Sequence, residues 1–335
     1  MNINENFSLL PFNTFGMDVK CRYFIEYSNT DELNKILTGN LLANDNFLHI
    51  GRGSNLLFLS DYKGIILHSG IHFISVTEET NDHVLVDVGS GVIWDDVVDH
   101  CVKQGWYGAE NLSLIPGETG AAAVQNIGAY GAEIQDIIES VSTMDMAGNI
   151  RIFTKKECGY GYRESIFKKE LKGKLIVTSV RLKLSKKPAF NLRYQQLEAD
   201  VKKTGELSLE NIRKTIVATR QYKLPDPAIN GNAGSFFMNP VVSVDIFNAI
   251  RQMHPTVPHY QVSDEWVKIP AAWLIDQCGW KGKSLGRAGV HDKQPLVLIN
   301  KGGATGEEIV ALAKKIQQDV KSTFNIDLHP EVNYI

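Results

Sequence analysis

The 335-residue chain is poor in cysteine, and its four (Cys21, Cys101, Cys158 and Cys278) are scattered with no C-x-x-C pair. This excludes a disulfide framework and a zinc knuckle, and it predicts reduced, structural thiols in a reducing compartment. Nine histidines contain no H-x-H pair, and no metal site is expected. Positive charge is not in excess: 35 Lys and Arg face 38 Asp and Glu, a formal net charge of −3. With no basic stripe to neutralise phosphates, a nucleic-acid partner is not expected. No apolar run approaches the length of about 18 residues that spans a membrane. The first residues, M-N-I-N-E-N-F-S-L-L-P-F, lack a basic start and a long apolar core, so they do not read as a signal peptide. The expected location is the cytoplasm.

What is present is globular: 43% hydrophobic and 22% charged residues. The length exceeds one ordinary core and predicts two or three domains. The chain is organised around Ile115–Gly131, I-P-G-E-T-G-A-A-A-V-Q-N-I-G-A-Y-G. Four glycines, three consecutive alanines and a single charge, Glu118, make this a candidate cradle for a large flat ligand. Glycine lets backbone approach a ligand closely, and successive free N–H groups form anion-binding nests. Taken alone, the same stretch also fits a glycine-rich turn between two core elements.

A second glycine turn, G-R-G-S-N at Gly51–Asn55, follows an apolar strand at Phe47–Ile50. It lacks the third glycine and the following helix of a dinucleotide fingerprint, so a nicotinamide-binding Rossmann domain is disfavoured. As a strand–turn–strand loop it can hold a pyrophosphate through backbone N–H groups, Ser54 and Asn55; a plain hairpin-like turn is the alternative. Further strands are expected at Phe24–Tyr27, Ile65–His68, His72–Val76 and Val84–Val88. A hairpin is expected over Glu139–Phe153, and a long strand at Leu175–Leu184. Helices are expected at Asp31–Leu42, from Trp94 to Gly105, after Ser208, at Asp245–Met253, from Pro270 to Gly279, and behind a Thr305/Glu308 capping box. The run Lys183–Lys187 before Pro188 reads as a linker.

Three polar constellations could carry chemistry. In Gly159–Phe167, Arg163 sits among turn glycines and aromatics, where a planar, bidentate cation suits a carboxylate or enolate; the alternative is a surface pair with Glu164. In Tyr222–Pro240, glycines put Ser235 at a tight turn before two phenylalanines. It lacks G-x-S-x-G, so it is no nucleophile elbow, but its hydroxyl could donate a proton; the alternative is a turn serine bonding its own backbone. In Leu328–Ile335, apolar flanks predict that the tail docks as a strand and buries Glu331.

These residues fall into ordered motifs. They are N-T-F-G-M-D-V, G-R-G-S-N-L-L-F, N-L-S-L-I-P-G, G-A-A-A-V-Q-N-I-G-A-Y-G, G-Y-R-E-S-I-F, L-P-D-P, G-N-A-G-S-F-F-M-N-P, A-A-W-L-I-D-Q-C-G-W-K-G and H-P-E-V. In them, over residues 10–335, the chain resembles the UDP-N-acetylenolpyruvoylglucosamine reductases (MurB) of the longer, type I class. The resemblance implies an α+β protein with an FAD-binding fold of the vanillyl-alcohol oxidase type plus a C-terminal α+β substrate-binding domain. The expected bounds are 1–70 and 71–187 for two FAD-binding subdomains, 188–328 for the substrate domain, and 329–335 for a segment carrying Glu331. It implies NADPH-dependent reduction of an enolpyruvyl UDP-sugar, with hydride to C3 and a proton to C2.

By motif position the resemblance puts Arg163, Ser235 and Glu331 on catalytic positions. FAD contacts are implied for Gly51, Gly53, Ser54, Asn55, Ile115, Pro116, Gly117, Gly120, Ala121, Gln125, Gly128, Tyr130, Gly131 and Arg163. Substrate contacts are implied for Tyr194, Lys223, Asn239, Tyr260 and Lys268. Met238 and Asn333 depart from the pattern, where lysine and arginine are common. The protein is expected to be a monomer. A different flavoprotein oxidoreductase on this scaffold, or a non-catalytic nucleotide-sugar binder, are the rival readings.

Overall fold

The computed structural model describes residues 1–42, 46–194 and 196–335. It divides into two units. The first comprises Met1–Phe7, Lys20–Arg52 and Lys63–Arg220; the second comprises Ser8–Val19, Gly53–Tyr62 and Gln221–Ile335. The expected break at residue 187 is therefore replaced by one at Arg220. The reason is local: the run read as a linker is still strand as far as Ser185. After it, the helix Leu197–Thr204 buries Leu197 and Val201 against Ile212 and Ile216 of the helix Leu209–Lys223. That short helix was not foreseen, because two apolar residues four apart are a weak periodic signal.

Among the described residues the first unit holds two larger sheets and one two-stranded ribbon. One has four strands in the order Asn2–Ser8, Lys20–Tyr27, Tyr62–Ser69, Phe47–Ile50. The last pair is parallel, with Ile50 opposite His68. Residues 51–55 therefore do not close a hairpin, and the hairpin-like alternative falls. The other sheet has five antiparallel strands in the order Ile150–Thr154, Ile138–Asp145, Leu175–Ser185, His83–Gly89, Ile74–Glu79. Leu175–Ser185 is its central strand, and Val177, Val180, Leu182 and Leu184 all join the core with Trp94, Val97, Val98 and Cys101 of the helix Trp94–Lys103. That helix carries the face read from sequence. The helix at Thr30–Thr38 is shorter than expected; Asn29 caps it by accepting the Glu32 N–H at 2.9 Å.

The second unit has a three-stranded sheet in the order Val241–Ser243, Trp266–Lys268, Tyr260–Gln261. A further sheet runs Ser284–Leu285, Ala288–Val290, Leu298–Asn300. The helix Gly306–Phe324 begins with the capping box expected at Thr305 and Glu308. It buries Ile309, Leu312, Ala313, Ile316 and Val320 in the largest apolar cluster of this unit. Each of the Ile, Leu and Val side chains contributes about 1.5–3 kcal/mol when removed from water. Residues Asn333–Tyr334 form a strand that runs parallel to Leu56–Leu57, so the chain end docks as predicted.

Candidate active site

In the first unit the stretch 115–131 is not simply a turn. Residues Thr119–Gln125 are helical, and Gly120 packs so tightly that a Cβ would lie 2.8 Å from the Ser90 Cβ. The small residues let this helix approach the sheet closely. Asn126 ends the helix with φ +45° and is fully buried. Its side chain donates to Glu133 Oε2 at 2.9 Å and to the Gly161 carbonyl at 2.7 Å. Beyond it Gly128–Ala129 pairs with Ala132–Glu133 around Tyr130 and Gly131, both with positive φ. Two such residues between paired strands make a type I′ hairpin turn. Leu114, just before Ile115, is also left-handed; its N–H donates to Asp95 Oδ1 at 2.5 Å, and Arg213 grips the same carboxylate at 2.7 and 2.9 Å.

Arg163 sits at the third place of a tight turn closed by Gly161 and Glu164, with φ +57°. Glycine or asparagine normally fills that place. Its Nη2 donates to the Gly128 carbonyl at 2.5 Å and its Nη1 to the Asn126 carbonyl at 3.3 Å. Glu164 instead pairs with Lys169, so the surface-pair alternative for Arg163 falls. The guanidinium thus lies against the Gly128 turn, and a Cβ on Gly128 would sit 2.8 Å from Nη1.

Tyr194 belongs to this first unit, not to the substrate domain where it was expected. Its ring meets that of Tyr130 edge-on, with centroids 5.2 Å apart. Asn111 ties the two segments by donating to the Tyr130 and Asn191 carbonyls, both at 2.8 Å. Residue 195 of the same loop lies outside the described residues. Burial raises the Tyr130 phenol pKa, so its hydroxyl is a neutral donor.

In the second unit Gly53 has φ +63°, and a Cβ there would lie 2.0 Å from the Phe12 carbonyl oxygen. The Asn55 side chain donates to the Glu331 carbonyl at 3.2 Å, and the Asn55 carbonyl accepts the Asn333 N–H at 3.0 Å. Glycine turn and chain end are therefore laced together. Residues 235–238 run between two neighbours. Phe236 N–H donates to Leu296 O, Glu331 N–H to Phe236 O, and Met238 N–H to His329 O, all at 2.8–2.9 Å. This brings two of the three expected catalytic residues close in one unit: Glu331 lies across from Phe236, one residue from Ser235. Phe236 and Phe237 are buried, while Ser235 is exposed and its hydroxyl makes no hydrogen bond among the described residues. The turn serine bonding its own backbone is not what is found; Asn232 makes that bond instead, accepting the Gly234 N–H at 2.9 Å. Glu331 is half-buried rather than fully enclosed.

Among the expected substrate residues, Tyr260 and Lys268 are opposite one another in register, with Nζ 5.8 Å from the ring centre. The Asn239 Oδ1 accepts the Ala271 N–H at 2.9 Å, which leaves its amide nitrogen to offer a ligand. Lys223 is exposed at the end of the helix Leu209–Lys223.

The residues fit FAD on two observations. The glycine turns can supply backbone N–H groups of the kind a diphosphate nest uses, with the cations Arg163 and Arg220 in the first unit. Buried polar atoms also wait without partners: Asn111 Oδ1 and Arg220 Nε in the first unit, and Thr14 Oγ1 in the second. Asn111 bonds the Tyr130 backbone, Arg220 acts electrostatically on the Tyr130 phenol, and Thr14 N–H reaches the Gly53 carbonyl at 3.5 Å. In the first unit the unmet acceptor of Asn111 and donor of Arg220, both linked to Tyr130, suit a ligand with both kinds of group, as a flavin has. Arg220 and Thr14 were missed in the sequence, since nothing local marks a buried arginine on a helix or a threonine in a loop. Among the described residues no group of three or more His, Cys, Asp or Glu could hold a metal. The H-x-x-x-H spacing of His68 and His72, passed over in the sequence, does not converge: His72 bonds the Gly70 carbonyl. No helix of the described residues is long and apolar enough to cross a membrane.

A family model described as "UDP-N-acetylenolpyruvoylglucosamine reductase, C-terminal domain" matches residues 226–335, and one described as "FAD binding domain" matches residues 21–154. The UDP-N-acetylenolpyruvoylglucosamine reductase of Bacteroides fragilis (strain YCH46) is 50% identical over 333 residues, covering 99% of this chain and 100% of the relative. That of Porphyromonas gingivalis (strain W83) is 44% identical over 338 residues, covering all of both chains. The crystal structure of the Thermus caldophilus reductase superposes with a TM-score of 0.71 at 21% identity, covering 100% of this chain and 99% of that one, a likeness of fold. With relatives identical at up to half of all positions over full length, the chain belongs to the UDP-N-acetylenolpyruvoylglucosamine reductase family.

Proposed function

We propose that this protein reduces the enolpyruvyl ether of UDP-N-acetylglucosamine to UDP-N-acetylmuramate, with NADPH as electron source and FAD as carrier, in peptidoglycan precursor synthesis. Bound FAD supplies the hydride that adds to C3 of the substrate's vinyl group. Everything else falls to the chain. The Gly51, Gly53, Ser54 and Asn55 turn and the segment from Ile115, Pro116 and Gly117 through Gly120, Ala121, Gln125, Gly128, Tyr130 and Gly131 hold the cofactor through backbone and side-chain contacts, Pro116 without an N–H to give. Arg163 and Glu331 steady the negative charge that builds on C2 and the adjoining carboxylate. Preorganised charge stabilisation of this kind is often the largest catalytic contribution. Ser235 then gives its hydroxyl proton to C2 and recovers one from solvent. Tyr194, Lys223, Asn239, Tyr260 and Lys268 hold the nucleotide sugar. The protein acts as a cytoplasmic monomer.

The observation that carries this reading is Ser235. An exposed hydroxyl with no partner among the described residues, on a backbone pinned on both sides, is what a stationary proton donor requires. The test is direct. The purified protein should show flavin absorbance, release free FAD on acid denaturation, and oxidise NADPH only when the enolpyruvyl UDP-sugar is present. The product should gain the mass of two hydrogens. A colourless protein that takes up no FAD, or NADPH oxidation indifferent to the substrate, overturns the proposal.

A further inference from the structure

Glu118 is the only charge in the stretch 115–131, it is 3% exposed, and the function just proposed gives it no task. Its Oε1 lies 3.0 Å from His68 Nε2, and the other ring nitrogen of His68 lies 2.9 Å from Glu26 Oε2. Carboxylates only accept hydrogen bonds, and a neutral imidazole has one N–H to give. Both bonds exist together when the ring carries both protons. The pKa of His68 moves accordingly: burial pushes it down, but the hydrogen bonds and charges of Glu118 and Glu26 outweigh burial and raise it.

The surroundings leave this ring as the cation of the cluster. Phe24 stacks on it with centroids 5.8 Å apart. His49, on the neighbouring strand, is held neutral by burial and by the charge of His68, with its pKa down at about 3. Its Nε2 meets the Tyr27 hydroxyl at 2.7 Å, and burial keeps that phenol un-ionised. The second oxygen of Glu118 lies 3.0 Å from the place a Cβ on Gly51 would occupy. One carboxylate thus touches the first residue of one glycine turn while belonging to the other glycine segment. A bare negative charge there would repel a diphosphate, and through His68 the same side chain is anchored on the strand Tyr62–Ser69.

We propose that His68 is a positioning residue for the cofactor: clamped as an imidazolium between Glu26 and Glu118, it neutralises Glu118 and fixes it against Gly51, so that the glycine segments accept the flavin's diphosphate. This rests on the FAD reading above. When His68 loses its proton at alkaline pH, one of its two bonds is lost and the Glu118 charge is uncovered. FAD should then be held less tightly.

The experiment is the FAD dissociation constant, read from flavin fluorescence as holoprotein is diluted, from pH 6 to 10. It is done for wild type, His68→Asn, Glu118→Gln and the double variant. Asparagine keeps polarity but cannot carry the charge. Wild type should bind evenly at low pH and weaken by roughly 10-fold at high pH, the scale of a coupling between contacting charged groups. His68→Asn should be weakened by about the same factor already at pH 7, and adding Glu118→Gln should restore most of it and flatten the profile. A purely structural role for His68 would not be rescued by a second change. If wild type binds FAD but His68→Asn binds equally well, or the double variant is no better than the single, the brace is wrong and the functional reading stands. If wild type takes up no FAD, both are wrong. Should His68→Asn not fold, Glu118→Gln alone decides: a flat profile supports the brace, and an alkaline limb as steep as the wild type's overturns it.

Discussion

Arg163 shows how much a single residue can reveal. A non-glycine residue held at φ +57° costs about 1–3 kcal/mol, and such strain gathers at sites where geometry matters. Its fork is oriented by the carbonyls of Asn126 and Gly128 rather than by the glutamate beside it in sequence. Arg163→Lys keeps the charge and the backbone strain but loses the planar fork, so it should not behave as a conservative change. Turnover at saturating substrate should fall about 100-fold or more, the scale of losing one preorganised donor. Near-normal turnover would remove Arg163 from the reaction. The candidacy of Arg163 and Ser235 was legible in the motifs. The partners of Arg163 were not, because Asn126 lies 37 residues away and the pairing exists only after the Gly161–Glu164 turn and the Gly128 turn have met. The same holds for Glu118 and His68, 50 residues apart.

Elements with strong local signals were read well: the central strand Leu175–Ser185, the hairpin of Ile138–Asp145 with Ile150–Thr154, and the capped helix Gly306–Phe324. Their apolar spacing and caps are properties of short windows. The helix Thr119–Gln125 was hidden, since a glycine and three alanines give no amphipathic stripe; its small residues serve close approach to the sheet. The turn Gly53–Asn55 was placed correctly but not its company, because what it pairs with is the chain end, 278 residues on. Two glycines of the second unit separate strain from crowding. Both are left-handed, but a Cβ on Gly16 meets nothing within 4 Å, whereas one on Gly53 strikes the Phe12 carbonyl. Gly16→Ala should cost about 1–2 kcal/mol, the penalty of a Cβ in the left-handed region. Gly53→Ala should cost about 3 kcal/mol or more, since backbone must move as well. Urea unfolding midpoints of the two variants check this; equal losses would mean that the Phe12 contact is relieved at no cost.

At the scale of the whole molecule, the division into two units follows the core clusters rather than the order of the chain. Residues 8–19 and 53–62 leave the first unit's stretch of sequence to join the second, which contiguous reading could not foresee. The thiols report on the integrity of both. Cys21, Cys101 and Cys158 are buried, and burial pushes their pKa up to about 11, about 12 and about 11. Cys278, in the second unit, is only half-buried, with a smaller upward shift. Because the thiolate is the reactive form, iodoacetamide at pH 8 should modify Cys278 first and the other three only on unfolding. Peptide mass mapping reads the order, and early labelling of Cys101 would contradict the packing of its helix.

The central claim is that Ser235 gives the proton that completes the reduction, and its two half-reactions separate this role from a structural one. NADPH oxidation precedes any proton transfer to substrate carbon, so Ser235→Ala should bind FAD and be reduced by NADPH at a near-normal rate. Removing a general acid typically slows its own step about 10²–10⁴-fold. The measurement is the rate at which flavin absorbance returns when the enolpyruvyl UDP-sugar is added, without oxygen, to the NADPH-reduced Ser235→Ala protein. The account predicts that the absorbance stays bleached over the time in which wild type recovers fully; recovery at the wild-type rate would contradict it.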